Sequence, residues 1–496
     1  MFFNVFYCLL LRMRFRKSLS CSDFINTFAE ETNTMRKPEL FALILILPVF
    51  MQVSRAQNQD SVVLRKMYTE ALHNPVGWKN LDYLCTKIGG RICGTVKAEE
   101  AVQYIRKVME GMKLDTVYLQ PLFVKHWERG TVETAKVFSA KKGSKDLHVC
   151  ALGTSIGTGD AGIKAKVVEV HNFDELKAIG RSGIEGKIVF FNRAADDSRI
   201  NTFEAYGKAV DQRAQGAMQA ARFGALAVIV RSAVPVHDNF PHTGVQHYAD
   251  SVKAIPAMSV STNDADLLSS WLKDDPSLKL SMKMNCRNLP EAPSFNVIGE
   301  IRGSEHPEEI IVFGGHLDSW DIGQGAHDDG SGVVQAIDIL RIYKALQMKP
   351  KHTIRAVAFM DEEIAQRGAA AYADAVKKKA EKHIGAIEAD RGAAVPQGFS
   401  IDAPDASLEK IKSWKPLFKP YALWSFEKGG SGVDIHDLKK QGTPLVGLVT
   451  DPQRYFDYHH SANDTYDKVN PRELELGAAA MAGLVLPLHV QEGCVR

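Results

Sequence analysis

The stretch with the densest chemistry in this 496-residue sequence is Glu308–Gly332, EEIIVFGGHLDSWDIGQGAHDDGSG. An apolar run ends at Gly314-Gly315, and His316 and Asp318 follow at once. If that run is a strand, both lie just past its carboxyl end, the edge at which open α/β sheets bind ligands. A His with an Asp two residues on suits a metal-bound imidazole whose other nitrogen is held by a carboxylate. Asp328 and Asp329 then precede Gly330-Ser331-Gly332, the expected start of a helix. Three more segments repeat these residue types: Asp361-Glu362-Glu363, Glu388-Ala389-Asp390 and Tyr458-His459-His460. Adjacent acids at a strand terminus repel one another unless a cation or solvent compensates. Oxygen and imidazole donors without thiolate fit a hydrolytic zinc pair. Each segment alone has a plainer reading, Glu388 as a solvated or capping acid and the His pair as a surface turn. The four together point to a site.

The elements that must position these residues follow from patterning. From Phe295 onward, candidate strands Glu309–Phe313, Thr353–Phe359, His383–Ile387 and Leu445–Val449 alternate with candidate helices Gly332–Leu346, Gly368–Lys382 and one from Arg472. This alternation predicts the α/β class: a mixed, mostly parallel sheet covered by helices on both faces. Each acidic or histidine segment then falls at the carboxyl end of a different strand. Upstream, Ser61–Phe123 reads as helix, turn, helix and strand, with a helix over Ala98–Met112 and a strand over Thr116–Phe123. Between about 140 and 290, short strands Ile163–Val170, Lys187–Phe191, Ala225–Val230 and Leu278–Met284 with helices Glu204–Arg222 and Asp264–Lys273 suggest a small α/β module set into the larger domain.

Other motifs fail on context. Gly157–Gly162 matches G-x-G-x-x-G, but the following Ile163–Val170 reads as a strand, whereas a dinucleotide site needs a helix there. Ser431 does not sit in a G-x-S-x-G elbow, because Gly432 and Val433 follow it, and there is no H-E-x-x-H. Asn463-Asp464-Thr465 is a glycosylation sequon, expected to stay bare because it abuts the site.

The strings GGHLDSWDIGQGAHDDGSG, MDEE, IEAD and YHHSANDT resemble the M28 family of co-catalytic zinc exopeptidases. The likeness begins near GGRICGT and runs to the C-terminus. It implies the zinc exopeptidase fold over 57–140 and 291–496, interrupted by a protease-associated-like insert over 141–290. It also implies two Zn2+ per chain, with Asp328 bridging them, His316 and Asp390 completing one ion, and Glu363 and His460 the other. Glu362 would be the general base and Asp318 the partner of His316. Adjacent residues at a strand end point in different directions, so Glu362 and Glu363 can divide two roles, but which takes which comes from the family. His459 or Tyr458 could steady the oxyanion or simply pack. Arg391 could pair with Glu388 or hold a substrate carboxylate, and Asp434 occupies a glycine-rich segment where relatives place a polar residue near the site.

The expected activity is hydrolysis of dipeptides or short peptides by a metallopeptidase. The alternatives are a single-zinc acyltransferase of the glutaminyl-cyclase type, which shares the fold, and a catalytically inactive binding protein, which a complete ligand set disfavours. Relatives suggest a homodimer.

With 61 Lys+Arg against 59 Asp+Glu the formal charge is +2, which offers no basic field for nucleic acid. Composition is ordinary for a globular protein, 45% hydrophobic and 24% charged. The apolar run Leu40–Met51 is shorter than the about 20 residues of a membrane span. Met35-Arg36-Lys37 before it and Ser54-Arg55-Ala56 after it make 35–56 a signal peptide, so the protein is expected to be secreted or periplasmic with no stable membrane span. Residues 1–34 carry the reverse of signal order, which suggests that translation starts at Met35. Export would remove Cys8 and Cys21, leaving Cys85, Cys93, Cys150, Cys286 and Cys494, whose connectivity spacing does not reveal.

Overall fold

The structure is a computed structural model that describes residues 60–488, so the expected signal peptide, the upstream segment 1–34 and Cys494 lie outside the described residues. The chain divides into two units, Met1–Val63 and Leu64–Arg496, and the description concerns the second.

Two mixed eight-stranded sheets form its framework. Across the first, the strands run Thr116–Glu128, Arg287–Ile301, His352–Phe359, His306–His316, Lys382–Glu388, Leu445–Thr450, Pro396–Asp402 and Ser425–Lys428. The four central strands are parallel, and antiparallel pairs flank them. All eight residues of His352–Phe359 are buried, the mark of a strand covered on both faces. On one face Val312, Val357, Ala386 and Leu445 meet Tyr372 and Val376 of the helix Arg367–Lys379. On the other, the helix Ser331–Ala345 lies against the central strands and carries the helices Val76–Asp82 and Pro471–Leu488. The helix Val96–Gly111 is capped by Thr95, whose hydroxyl accepts the Ala98 N–H, and buries Ala98, Ala101, Val102, Ile105 and Met109 at helical spacing.

The second sheet comprises Gly143–Leu147, Glu133–Ser139, Lys279–Met284, Ile163–Val170, Ile188–Phe191, Ala227–Arg231, Ala257–Val260 and Val149–Ala151. All of these lie in sequence between the first sheet's strands Thr116–Glu128 and Arg287–Ile301. The sheet starts at Glu133, ahead of the boundary expected at 141, because Glu133–Ser139 pairs with Lys279–Met284. The expected helix Glu204–Arg222 is two, Thr202–Ala209 and Asp211–Ala221, and Gly157–Gly162 is a loop leading into a strand. Cys85, Cys93, Cys150 and Cys286 are buried free thiols. Among the described residues no helix is long and apolar enough to cross a membrane.

Candidate active site

His316 is the last residue of its strand and pairs in register with Phe359, while Gly314 pairs with Glu388. Parallel pairing therefore brings the loops after three strands to one edge, and the segment after Leu445–Thr450 joins them. Glycines let the connections close. A Cβ on Gly315 would collide with the Asp329 carboxylate and one on Gly332 with the Ala389 carbonyl, so the helix Ser331–Ala345 can start directly against the strand ends.

At that edge the two oxygens of Asp328 reach different imidazoles. Oδ1 lies 3.1 Å from His316 Nε2, and Oδ2 lies 3.2 Å from His460 Nε2. Asp390 Oδ1 is 3.6 Å and Glu362 Oε2 3.8 Å from His316 Nε2, and Glu363 Oε2 is 3.1 Å from His460 Nε2. All six residues named from the sequence as metal ligands or base thus converge. His316, Asp328 and Glu363 offer donor atoms within 4.8 Å of one another, as do Asp328, His459 and His460.

The electrostatics are those of a charge cluster stripped of water. Burial, reinforced by Asp390, Glu363 and Asp328, pushes Glu362 well above the usual carboxylate range. Burial likewise raises Glu363 to about 7 and raises Asp390. Against the cost of burial, hydrogen bonds with His316 and His460 hold Asp328 well below its usual value. Both imidazoles move upward, again against burial, because carboxylates face them. Glu363 Oε1 and Asp390 Oδ1 are buried and accept no hydrogen bond. Buried acceptors without donors, beside neutral-capable imidazoles, fit a cation better than they fit one another.

Several main-chain amides are tied down by further acids. Asp318 sits beside His316, but it is its carbonyl that meets Nδ1, at 2.9 Å, with the carboxylate at 3.9 Å. The carboxylate accepts the N–H groups of Asp361, Glu362 and Glu363 at 2.8, 3.2 and 3.4 Å. Asp329 accepts the N–H groups of His316 and Gly332. Asp464 accepts those of His327 and Asp328. The sequence placed Asp329 and Asp464 inside the right strings without indicating these tasks.

The remaining residues singled out in the sequence occupy distinct places around the site. Tyr458 stacks on His327 with ring centroids 4.8 Å apart, and it is Tyr455 that lines the cavity. Arg391 donates to the Gly430 carbonyl and lies over the Phe203 ring, so it neither pairs with Glu388 nor lines the cavity. Glu388 is no solvated acid: it is buried and accepts the N–H groups of Val433 and Ile435. Asp434 is buried next to it, its carboxyl raised by burial and then by nearby acids such as Glu362, and neither of its oxygens accepts a hydrogen bond. His459 faces the cavity with its ring stacked at 3.5 Å on His460, and burial keeps its imidazole neutral.

The cavity over these groups has a volume of about 480 Å³. Its floor holds Asp328, Glu362, Glu363, Asp390 and His460, and one wall consists of Phe203, Tyr206, Arg213, Val245 and His247 from the second sheet's helices and loops. Phe203 and Tyr206 pack against Tyr455 and Phe456. No sequence signal marked that wall, because its residues are ordinary aromatics and one Arg far from the motif strings.

A parallel-centred α/β sheet with buried His and carboxylate donors gathered at its carboxyl edge defines a metallopeptidase, and the chain belongs to peptidase family M28, whose family model matches residues 296–485. Within that family it is 33% identical to carboxypeptidase Q of Bos taurus over 422 residues, covering 85% of this chain and 86% of that protein. The M28 peptidase precursor of Shewanella amazonensis SB2B superimposes with a TM-score of 0.84 at 31% identity, covering 89% of this chain and 99% of the other. A zinc aminopeptidase from Bacillus subtilis, at 19% identity and a TM-score of 0.60 over 85% of this chain and 96% of its own, shares the fold.

Proposed function

We propose that the chain is an exported two-zinc exopeptidase that hydrolyses dipeptides or short peptides. The observation carrying this reading is Asp328, one carboxylate reaching His316 from one oxygen and His460 from the other. That is the arrangement a bridging ligand needs. His316 and Asp390 would complete one ion, and Glu363 and His460 the other. Bound there, zinc polarises the scissile carbonyl and acidifies water. Glu362, facing the cavity without a ligand role, takes the proton from the attacking water and delivers it to the leaving amine. Asp318 keeps Glu362 and Glu363 at fixed angles through their amides. His459, neutral and on the cavity wall, can donate to the carbonyl oxygen as charge develops there.

The domain reading belongs with this proposal. The chain on either side of the second sheet, within 57–140 and 291–496, forms the peptidase domain, and the second sheet, which begins at Glu133, is a protease-associated-like insert. Residues 35–56 direct export, and two chains form a homodimer. A dipeptide library assay with zinc measured on the same sample tests the central reading. Two ions per chain with dipeptide hydrolysis are expected. One tightly held ion with acyl transfer would favour a cyclase-type enzyme, and a metal-free, inactive protein would favour a binding role.

A further inference from the structure

The second sheet does more than wall the cavity. Both partners on the outer edge of the His460 ring come from it. His460 Nδ1 lies 3.2 Å from the Thr243 carbonyl and 3.3 Å from Arg213 Nη1. With Nε2 given to a metal, Nδ1 carries the hydrogen and donates to the Thr243 carbonyl, so Arg213 acts on the ring through that carbonyl and by closing the space behind it, not by a bond of its own. Arg213 is itself buried and fixed: Nη1 donates to Tyr206 Oη at 2.8 Å and reaches the Thr243 carbonyl at 3.4 Å. Gly244 makes room, since a Cβ there would strike the guanidinium. The main chain is held as well. Thr243 N–H donates to the His460 carbonyl at 2.8 Å, and His242 Nδ1 lies 2.6 Å from the His459 carbonyl. His460 needs such support, because its φ of +61° is a left-handed conformation that a side-chain-bearing residue keeps only when its surroundings hold it.

We infer that Arg213, with the His242–Thr243 segment, is a positioning device for His460, so that the second sheet assembles one half of the metal pair. This rests on His460 being a metal ligand, as proposed above. The partner of a ligating imidazole's second nitrogen fixes the ring, and losing it typically costs about 10–100-fold in metal affinity. The effect should be one-sided: among the described residues the side-chain hydrogen bonds and ion pairs of His316 and Asp390 go to Asp318, Asp328, Glu362 and each other and not to this segment, so their ion should be indifferent to it.

The test is zinc titration of Arg213→Ala and Tyr206→Phe against the wild type, by competition with a chelator, with the melting temperature of each metal-free protein measured alongside. Tyr206→Phe keeps the ring and removes only the hydroxyl that anchors Arg213, which keeps the comparison informative if Arg213→Ala folds poorly. The expected result is a dissociation constant about 10–100-fold higher for one ion, the other unchanged, in Arg213→Ala, and a smaller one-sided shift in Tyr206→Phe. Metal-free melting temperatures should stay close to wild type. Unchanged affinity for both ions in both variants would overturn the inference, as would equal weakening of both ions with a lowered melting temperature. A wild-type protein binding fewer than two ions would overturn the two-zinc reading and this inference together, a failure visible in the wild-type arm alone.

Discussion

Asp318 holds Glu362 by its main chain: the buried carboxylate accepts the Glu362 N–H at 3.2 Å and the amides on either side of it. The proposed base is thus aimed by an acid that never needs to touch it side chain to side chain. Replacing Asp318 with Asn leaves one oxygen for two amides and turns an NH2 towards the third. A buried donor facing a donor costs about 1–3 kcal/mol. The Asp318→Asn protein should fold but lose about 10–100-fold in kcat/KM or zinc affinity. Steady-state kinetics and zinc titration on one preparation would check this, and wild-type values in both would count against the role given to Asp318.

Glu362→Gln separates base from ligand. The amide cannot take a proton, while the proposed metal donors His316, Asp328, Glu363, Asp390 and His460 are untouched. Zinc content should match the wild type, with kcat lower by about 100-fold to 10,000-fold. Turnover near the wild-type level would show that another group is the base.

Zinc uptake should depend on pH with a definite sign. In the metal-free site, although burial opposes it, Asp328 and Asp390 hold His316 protonated above its usual range, and Glu363 and Asp328 do the same for His460. Metal needs both imidazoles unprotonated, so binding releases protons and affinity rises with pH, by about tenfold per unit for each proton displaced. Proton release measured during zinc titration from pH 5 to 8 checks it, and a pH-independent affinity would contradict these ligands.

Far from the site, Glu475 accepts the Trp78 N–H at 3.0 Å, and burial, with Asp338 nearby, pushes its carboxyl up to about 8. Between its ordinary value of 4.5 and about 8 the folded protein binds a proton that the unfolded chain does not. Its contribution is therefore fully present below pH 4.5 and is lost as the pH rises through 8. Glu475→Gln, which keeps the acceptor and sheds the charge, should melt higher than wild type by about 2 °C or more at pH 9 and differ little at pH 5. Thermal scans at both pH values decide it, and a variant less stable at pH 9 would overturn the assignment.

What the sequence revealed and what it hid divide along one physical line. Residues whose chemistry is carried by their own side chains, such as His316, Asp328 and the Glu362-Glu363 pair, stand out because acids and imidazoles at strand ends are costly without a purpose. Buried strands such as Leu445–Thr450, apolar up to its last residue, announce themselves as apolar runs. Asp329 and Asp464 act on main-chain amides whose positions exist only after folding, so their types were visible and their tasks were not. Arg213, Tyr206 and Thr243 owe their importance to how one sheet meets another, and no local period encodes that. The strands Pro396–Asp402 and Ser425–Lys428 escaped notice because one opens with a proline and the other is a four-residue edge with two charges. The helix Phe173–Ile184 was masked by Gly180, which breaks its geometry at a φ of +64°.

The order of strands also constrains how the molecule comes to exist. Thr116 must pair with Glu300, yet the entire second sheet is threaded between them. The outermost ladder of the first sheet cannot find its register until that intervening chain has become compact enough to bring its two ends together. During synthesis the strand Thr116–Glu128 must wait as an unpaired edge while the nested sheet forms. Secreted or not, the nascent chain therefore has a vulnerable interval, and the wait ends only when Arg287–Ile301 arrives to cover it.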